Sequence, residues 1–177
     1  AHFAVVISAE VLRNVGFGAQ ELLELGFSAA ELRVGFFEAK ELRDVGFEAR
    51  ALYELGYTPR ELWQAEVAAK EMRVLGVSAR QMRDGGYSAQ QMKDSQAYTL
   101  AELREGRYRA EELGRAGYHI GELRGARFAA LDLRKALIFT VQMMREGGYA
   151  AVEMKTANYD AKRMNEAGYS AGEAIHA

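Results

Sequence analysis

The chain has 177 residues, 49% of them apolar, and its 23 basic and 25 acidic residues leave a formal charge of −2, an ordinary balance for a chain able to bury a substantial core. Cysteine is absent, which excludes disulfides and thiolate metal sites. The longest apolar run, Phe3 to Ile7, is far short of the roughly 20 residues of a membrane span, and no signal-peptide pattern precedes it.

After a lead-in over residues 1–6, the chain is a tandem repeat. Leu12, Leu22, Leu32, Leu42, Leu52 and Leu62, then Met72, Met82 and Met92, follow one another every ten residues. The spacing slips to eleven between Met92 and Leu103, resumes through Leu113, Leu123 and Leu133, slips again to Met144, and runs through Met154 and Met164 to a degenerate Ala174. An aromatic or β-branched residue stands five positions before each centre, from Ile7 and Phe17 to Tyr159 and Tyr169. Such persistence marks a repeat architecture. Ala1 is not an initiator Met and Ala177 falls partway through a unit, so the sequence reads as a processed product or a window on something longer.

The unit Phe27-Ser28-Ala29-Ala30-Glu31-Leu32-Arg33 shows why each repeat starts a helix. Ser28 is placed to cap free backbone N–H groups, and Glu31 to reach back to Ser28, which is a capping box. Phe27 should meet Leu32 as a hydrophobic staple. Thr58-Pro59-Arg60-Glu61 repeats the logic with the chain's one Pro at the first helical position, where a missing N–H costs nothing. Glycines such as Gly16, Gly26, Gly46 and Gly56 follow the last apolar residue of a unit, where a left-handed residue stops a helix cheaply. In Leu42-Arg43-Asp44-Val45-Gly46-Phe47 that stop should set Phe47 against Leu42, and the next staple sets it against Leu52, so each ring should join two helices.

A seven-residue helix is about 10 Å long and does not persist alone in water, so neighbouring units must supply its stability. Ala29, Leu32 and the residue three further on form an apolar stripe suited to stacking. The expected fold is all-α: a solenoid or superhelix of about seventeen two-turn helices, one per ten-residue repeat, forming a single domain over residues 7–177. The extra residue of each eleven-residue unit must lie in a turn, because inside a helix it would rotate the stripe by about 100°. Ser95-Gln96-Ala97 and Ala136-Leu137-Ile138, both without Gly, are the expected sites.

These units resemble the decapeptide repeats, roughly Gly-Tyr/Phe-Ser-Ala-x-Glu-Leu-Lys/Arg-x-Ala, of algal, protist and large-virus proteins. The resemblance spans residues 7–177, implies an interaction or scaffold array and carries over no catalytic residue. The chain departs from the motif at Glu66-Val67, at Arg107 and Arg127 in the Gly position, and at Leu137-Ile138-Phe139.

Several side chains are candidate sites. A basic residue follows the central Leu or Met in many units, and Arg33, Arg43, Arg73, Arg83 and Lys93 form a candidate charged ridge. Acidic residues at the capping-box position balance it, which makes a mutually screened face the simpler reading and disfavours nucleic acid. Leu23, Tyr53 and Trp63 occupy the usual Arg position and form a candidate protein-binding patch, since Tyr and Trp are enriched at hot spots. The methionines alternate with Leu and read as core. His2, His119 and His176 are too scattered for a metal site. The carboxylates have capping work, no nucleophile stands beside a base, and each Gly follows a helix instead of opening a phosphate loop.

The expected function is therefore non-catalytic, with no cofactor, no metal and no membrane span: a structural or scaffold repeat protein that mediates protein–protein interaction. A filament-forming, self-associating protein is the alternative, and an accessory binding subunit of a large complex, such as an algal organelle complex, is what the resemblance alone implies. Nothing indicates a compartment. Phe47→Ala is expected to cost about 3–5 kcal/mol as a buried ring, and Arg43→Ala at most about 0.5 kcal/mol as an exposed one.

Overall fold

The computed structural model describes residues 7–170 and 172–173. The lead-in, His2, Ala174 and His176 lie outside the described residues. Within them the chain is an all-α repeat solenoid of sixteen short helices: α1 Ala9–Asn14, α2 Ala19–Glu24, α3 Ala29–Val34, α4 Ala39–Asp44, α5 Ala49–Glu54, α6 Pro59–Gln64, α7 Ala69–Val74 and α8 Ala79–Gly85, followed by α9 Ala89–Ser95, α10 Leu100–Glu105, α11 Ala110–Arg115, α12 Ile120–Gly125, α13 Ala130–Ala136, α14 Val141–Glu146, α15 Ala151–Thr156 and α16 Ala161–Glu166.

Each helix begins as its sequence directs. The N–H of Glu31 donates to Ser28 Oγ at 3.3 Å while the Ser28 N–H donates to Glu31 Oε2 at 2.7 Å, and Thr58 with Glu61 does the same. Where the cap has no hydroxyl the carboxylate half survives, as when the Gly18 N–H donates to Glu21 at 2.7 Å. The helix ends are Schellman stops: the N–H of Phe47 donates to the Leu42 carbonyl at 3.0 Å and that of Gly46 to Arg43 at 2.9 Å, with Gly46 at φ 101°. The left-handed residue persists where the motif breaks, at Phe36, Glu66, Arg107, Arg127, Leu137 and Asn158.

The two eleven-residue units place the extra residue in the turn. Gln96 and Leu137 take the left-handed position with φ 51° and 58°, four residues after Met92 and Leu133 as elsewhere. Ala97 and Ile138 are inserted after it, ahead of Tyr98 and Phe139. At the first site the Ser95 hydroxyl donates to the Met92 carbonyl at 2.9 Å and accepts from the Ala97 N–H at 3.2 Å, in place of the long-range bond of the Schellman motif.

The chain divides into two compact units, Ala1–Val77 with Asp84–Gly86, and Ser78–Arg83 with Tyr87–Ala177. In both, a helix packs on the second helix along as well as on its neighbour: α1 on α3 and α4 on α6 in the first, and α9 on α11, α11 on α13, α13 on α15 and α12 on α14 in the second. The central Leu and Met residues from Leu22 to Met154 are wholly buried, with Met72, Met82 and Met92 standing in the core where Leu stands elsewhere.

Small residues make this close stacking possible. A methyl group on Gly35, at the end of α3, would stand 2.8 Å from the Cβ of Ala9 on α1, and one on Gly106 would stand 2.8 Å from the backbone of Ala79. Tyrosines tie the same pairs together: the hydroxyl of Tyr57 donates to the Phe37 carbonyl at 2.6 Å, that of Tyr108 to Tyr87 at 2.8 Å, and that of Tyr149 to Phe128 at 2.7 Å. The staple rings are not equally covered. Phe37 and Tyr57 are buried, whereas Phe47 is half-buried, so the cost expected for Phe47→Ala belongs to Phe37 instead.

Candidate functional site

The side chains with most chemical character are the guanidinium and carboxylate groups that recur in every few units. Arg33, on the last turn of α3, lies 4.1 Å over the Tyr57 ring and 2.9 Å from Glu61 of α6. Arg13 repeats the arrangement with Phe37 at 4.9 Å and Glu41 at 3.0 Å, and also donates to the Phe36 carbonyl. In the second unit Arg83 stands over Tyr108 and donates to the Arg107 carbonyl, Lys93 stands over Tyr118 and donates to the Gly117 carbonyl, and Arg134 donates to Ala157 at 2.6 Å. One basic side chain therefore satisfies a helix-end carbonyl, covers a staple ring and, where a capping-box Glu is in reach, pairs with it.

Electrostatics follow from this packing. Burial pushes the Glu61 carboxyl up, but hydrogen bonds from Thr58 and the charge of Arg33 outweigh it and hold the group below the usual carboxylate range. Burial pushes the Tyr57 and Tyr149 hydroxyls up to about 12. Glu61 pairs with Arg33, and the Tyr57 and Tyr149 hydroxyls donate to carbonyls two units back, so each group helps hold helices together.

The sequence that builds this unit, with its capped start, Schellman stop and one staple ring per ten residues, matches the decapeptide repeat region family model over residues 7–79, 36–98 and 76–139, well over half of the chain. The chain belongs to the decapeptide repeat family. Comparison with curated proteins and with solved structures returns no match. The decapeptide helices continue beyond the matched residues through α14, α15 and α16.

The sequence-derived candidates are distributed as follows. Arg33, Arg43, Arg83 and Lys93 are half-buried, so they do not stand as freely solvated cations. Arg43 pairs with Glu71 at 3.4 Å, its side chain is 32% exposed, and its Nη1 is buried; the small cost expected for Arg43→Ala therefore rests on more solvent than the side chain has. Arg73 is exposed and also engaged. Leu23 on α2 and Tyr53 on α5 are half-buried, whereas Trp63 on α6 is 39% exposed. The Trp63 indole lies against Gly86, where a methyl group would be 3.5 Å from the ring, so it covers a helix-end turn as an arginine does elsewhere. His119 is the exposed N-cap residue of α12.

The structure adds side chains that sequence reasoning left aside. Val34 is 76% exposed and Phe36 is 67% exposed, the latter with φ 63° in the position that glycine fills in other units. Their signal was present in the Gly35-Phe36-Phe37 run, which carries one aromatic more than a unit requires.

Proposed function

We propose that this decapeptide array is a non-catalytic structural repeat protein that serves as a scaffold for protein–protein interaction. The observation that carries the proposal is Phe36. A bulky residue with positive φ is strained, and a ring 67% exposed recovers little of that cost through burial. With Val34 it gives the first unit apolar side chains that the repeat's own packing does not need, and Trp63, which covers the turn at Gly86, still leaves 39% of its surface exposed, the features expected of a binding surface. The polar groups support the same reading, because the carboxylates cap helices and pair with arginines.

The test restores the repeat's usual residues. Phe36→Gly with Val34→Asp, and separately Trp63→Arg, should keep the helical circular dichroism and melting temperature while abolishing crosslinks to partners that the unaltered protein forms in extracts of its source. Crosslinks identical for all three proteins would overturn the proposal. Light scattering that grows steeply with concentration, and falls in the variants, would identify the partner as a second copy and support the filament-forming form of the same function.

A further inference from the structure

In five places among the described residues an arginine pairs with the capping-box glutamate 28 or 29 residues further on: Arg13 with Glu41 at 3.0 Å, Arg33 with Glu61 at 2.9 Å, Arg43 with Glu71 at 3.4 Å, Arg83 with Glu112 at 3.5 Å and Arg124 with Glu153 at 3.5 Å. Arg104 of α10 is built the same way, donating to the Arg127 carbonyl at 2.9 Å, but its counterpart is Asp132 of α13, one methylene shorter. Asp132 performs neither task of the glutamate it replaces. Among the described residues it lies beyond 4.0 Å of Arg104, and α13 starts on Ala129 with no side-chain cap and no capping box.

A groove of about 470 Å³ opens where that glutamate would lie, bordered by Arg104, Arg107, Arg109, Asp132 and Lys135 over a floor of Tyr108 and Phe128. Arg109 is held by Glu112 at 3.1 Å and Glu111 by Arg115 at 2.8 Å. Arg104, Arg107 and Lys135 have no carboxylate within 4.0 Å among the described residues, which leaves three cations against the single carboxylate of Asp132. The backbone supplies an independent observation. Arg107 and Arg127 hold φ at 65° and 63°, the left-handed position filled by glycine in nine other units, and their carbonyls are the ones that Arg83 and Arg104 cap. Two exposed arginines twenty residues apart thus hold a strained backbone position that glycine would take at lower cost.

We infer that this groove binds an acidic side chain of a protein partner, whose carboxylate takes on Arg104 the place that a glutamate occupies on the other arginines, with Arg107 and Lys135 flanking it. The inference rests on the interaction function proposed above and names the chemistry of one partner. A planar carboxylate matches the guanidinium fork, and a segment of spaced Glu or Asp residues matches cations spread along an edge. A nucleic-acid backbone fits less well, because it needs a continuous positive excess and here meets Asp132.

The probe is a fluorescein-labelled Glu-Gly-Glu-Glu-Gly-Glu peptide, titrated by anisotropy against the full chain at low salt, with the Gln-for-Glu peptide as control. Asp132→Glu supplies the missing internal carboxylate and Arg107→Gly relieves the strained backbone. Each should weaken binding by about tenfold or more while the melting temperature holds or rises. Equal affinity of Asp132→Glu and the unaltered chain, no preference for the Glu over the Gln peptide, or stronger competition by inorganic phosphate or single-stranded RNA than by unlabelled peptide would overturn the inference. If it fails while the Phe36 and Trp63 variants still lose their crosslinks, only the groove is disproved; if those crosslinks persist as well, the interaction function itself is.

Discussion

Arg33 touches two elements beyond its own helix, the Tyr57 ring and the Glu61 carboxylate. A cation over a ring contributes about 0.5–2 kcal/mol, and a partly exposed ion pair about 0.2–1 kcal/mol. Arg33→Ala is therefore expected to lose about 1–3 kcal/mol in urea melts, against less than about 0.5 kcal/mol for the exposed Arg60→Ala. Equal losses would show that the guanidinium contributes no more than a solvated charge. Tyr57 and Tyr149 give a pH signature. Their folded pKa, about 12, is raised above the ordinary 10.0, so the folded chain keeps these protons longer than the unfolded chain. Their contribution is complete below about pH 10 and is lost as pH rises toward 12. Tyr57→Phe with Tyr149→Phe should lower the melting temperature at neutral pH and flatten its decline across that alkaline window.

At the scale of one helix and its turn, a left-handed stop is required whatever residue fills it. A methyl group on Gly46 would meet nothing within 4 Å, so Gly46→Ala isolates the conformational cost, about 1–2 kcal/mol. Leu137 takes the same conformation at 88% exposure, with no packing to set against the strain. Leu137→Gly should raise the melting temperature, opposite in sign to Gly46→Ala, and a matching loss in both would mean that side-chain contacts decide these turns. The eleven-residue units show the same priority. Ala97 and Ile138 fall after the stop, where the chain absorbs a residue without turning the apolar stripe away from the core.

Across the whole molecule, stability comes from stacking, because no single helix is long enough to persist. A synthetic peptide of residues 28–47, two complete units, should show coil-like circular dichroism in water while the full chain is helical; a helical peptide would place the stability within the unit. Gly106→Ala tests the stack itself. Its φ of −69° suits alanine, and alanine favours helix, yet the new methyl would stand 2.8 Å from the Ala79 backbone. It should cost about 1–3 kcal/mol as overpacking, and a neutral result would mean that the stacked helices separate freely.

The ten-residue pattern by itself determined where each helix starts and stops, which Leu or Met is buried and which turns carry the extra residue, since caps, staples and left-handed stops act over fewer than six residues. Phe36 and the Arg104 groove were legible only as departures from that pattern. What the tertiary structure alone decided is the partner of each unit. In a sequence of near-identical units, every helix offers the same stripe, the same arginine and the same glutamate to the first, second or third neighbour. Close approach at Gly35 and Gly106 and the reach of Tyr57 and Tyr149 select the second neighbour within each compact unit. That choice moves the arginines from a solvated ridge to the turns of the helices beyond, and leaves Arg104 facing an aspartate too short to meet it.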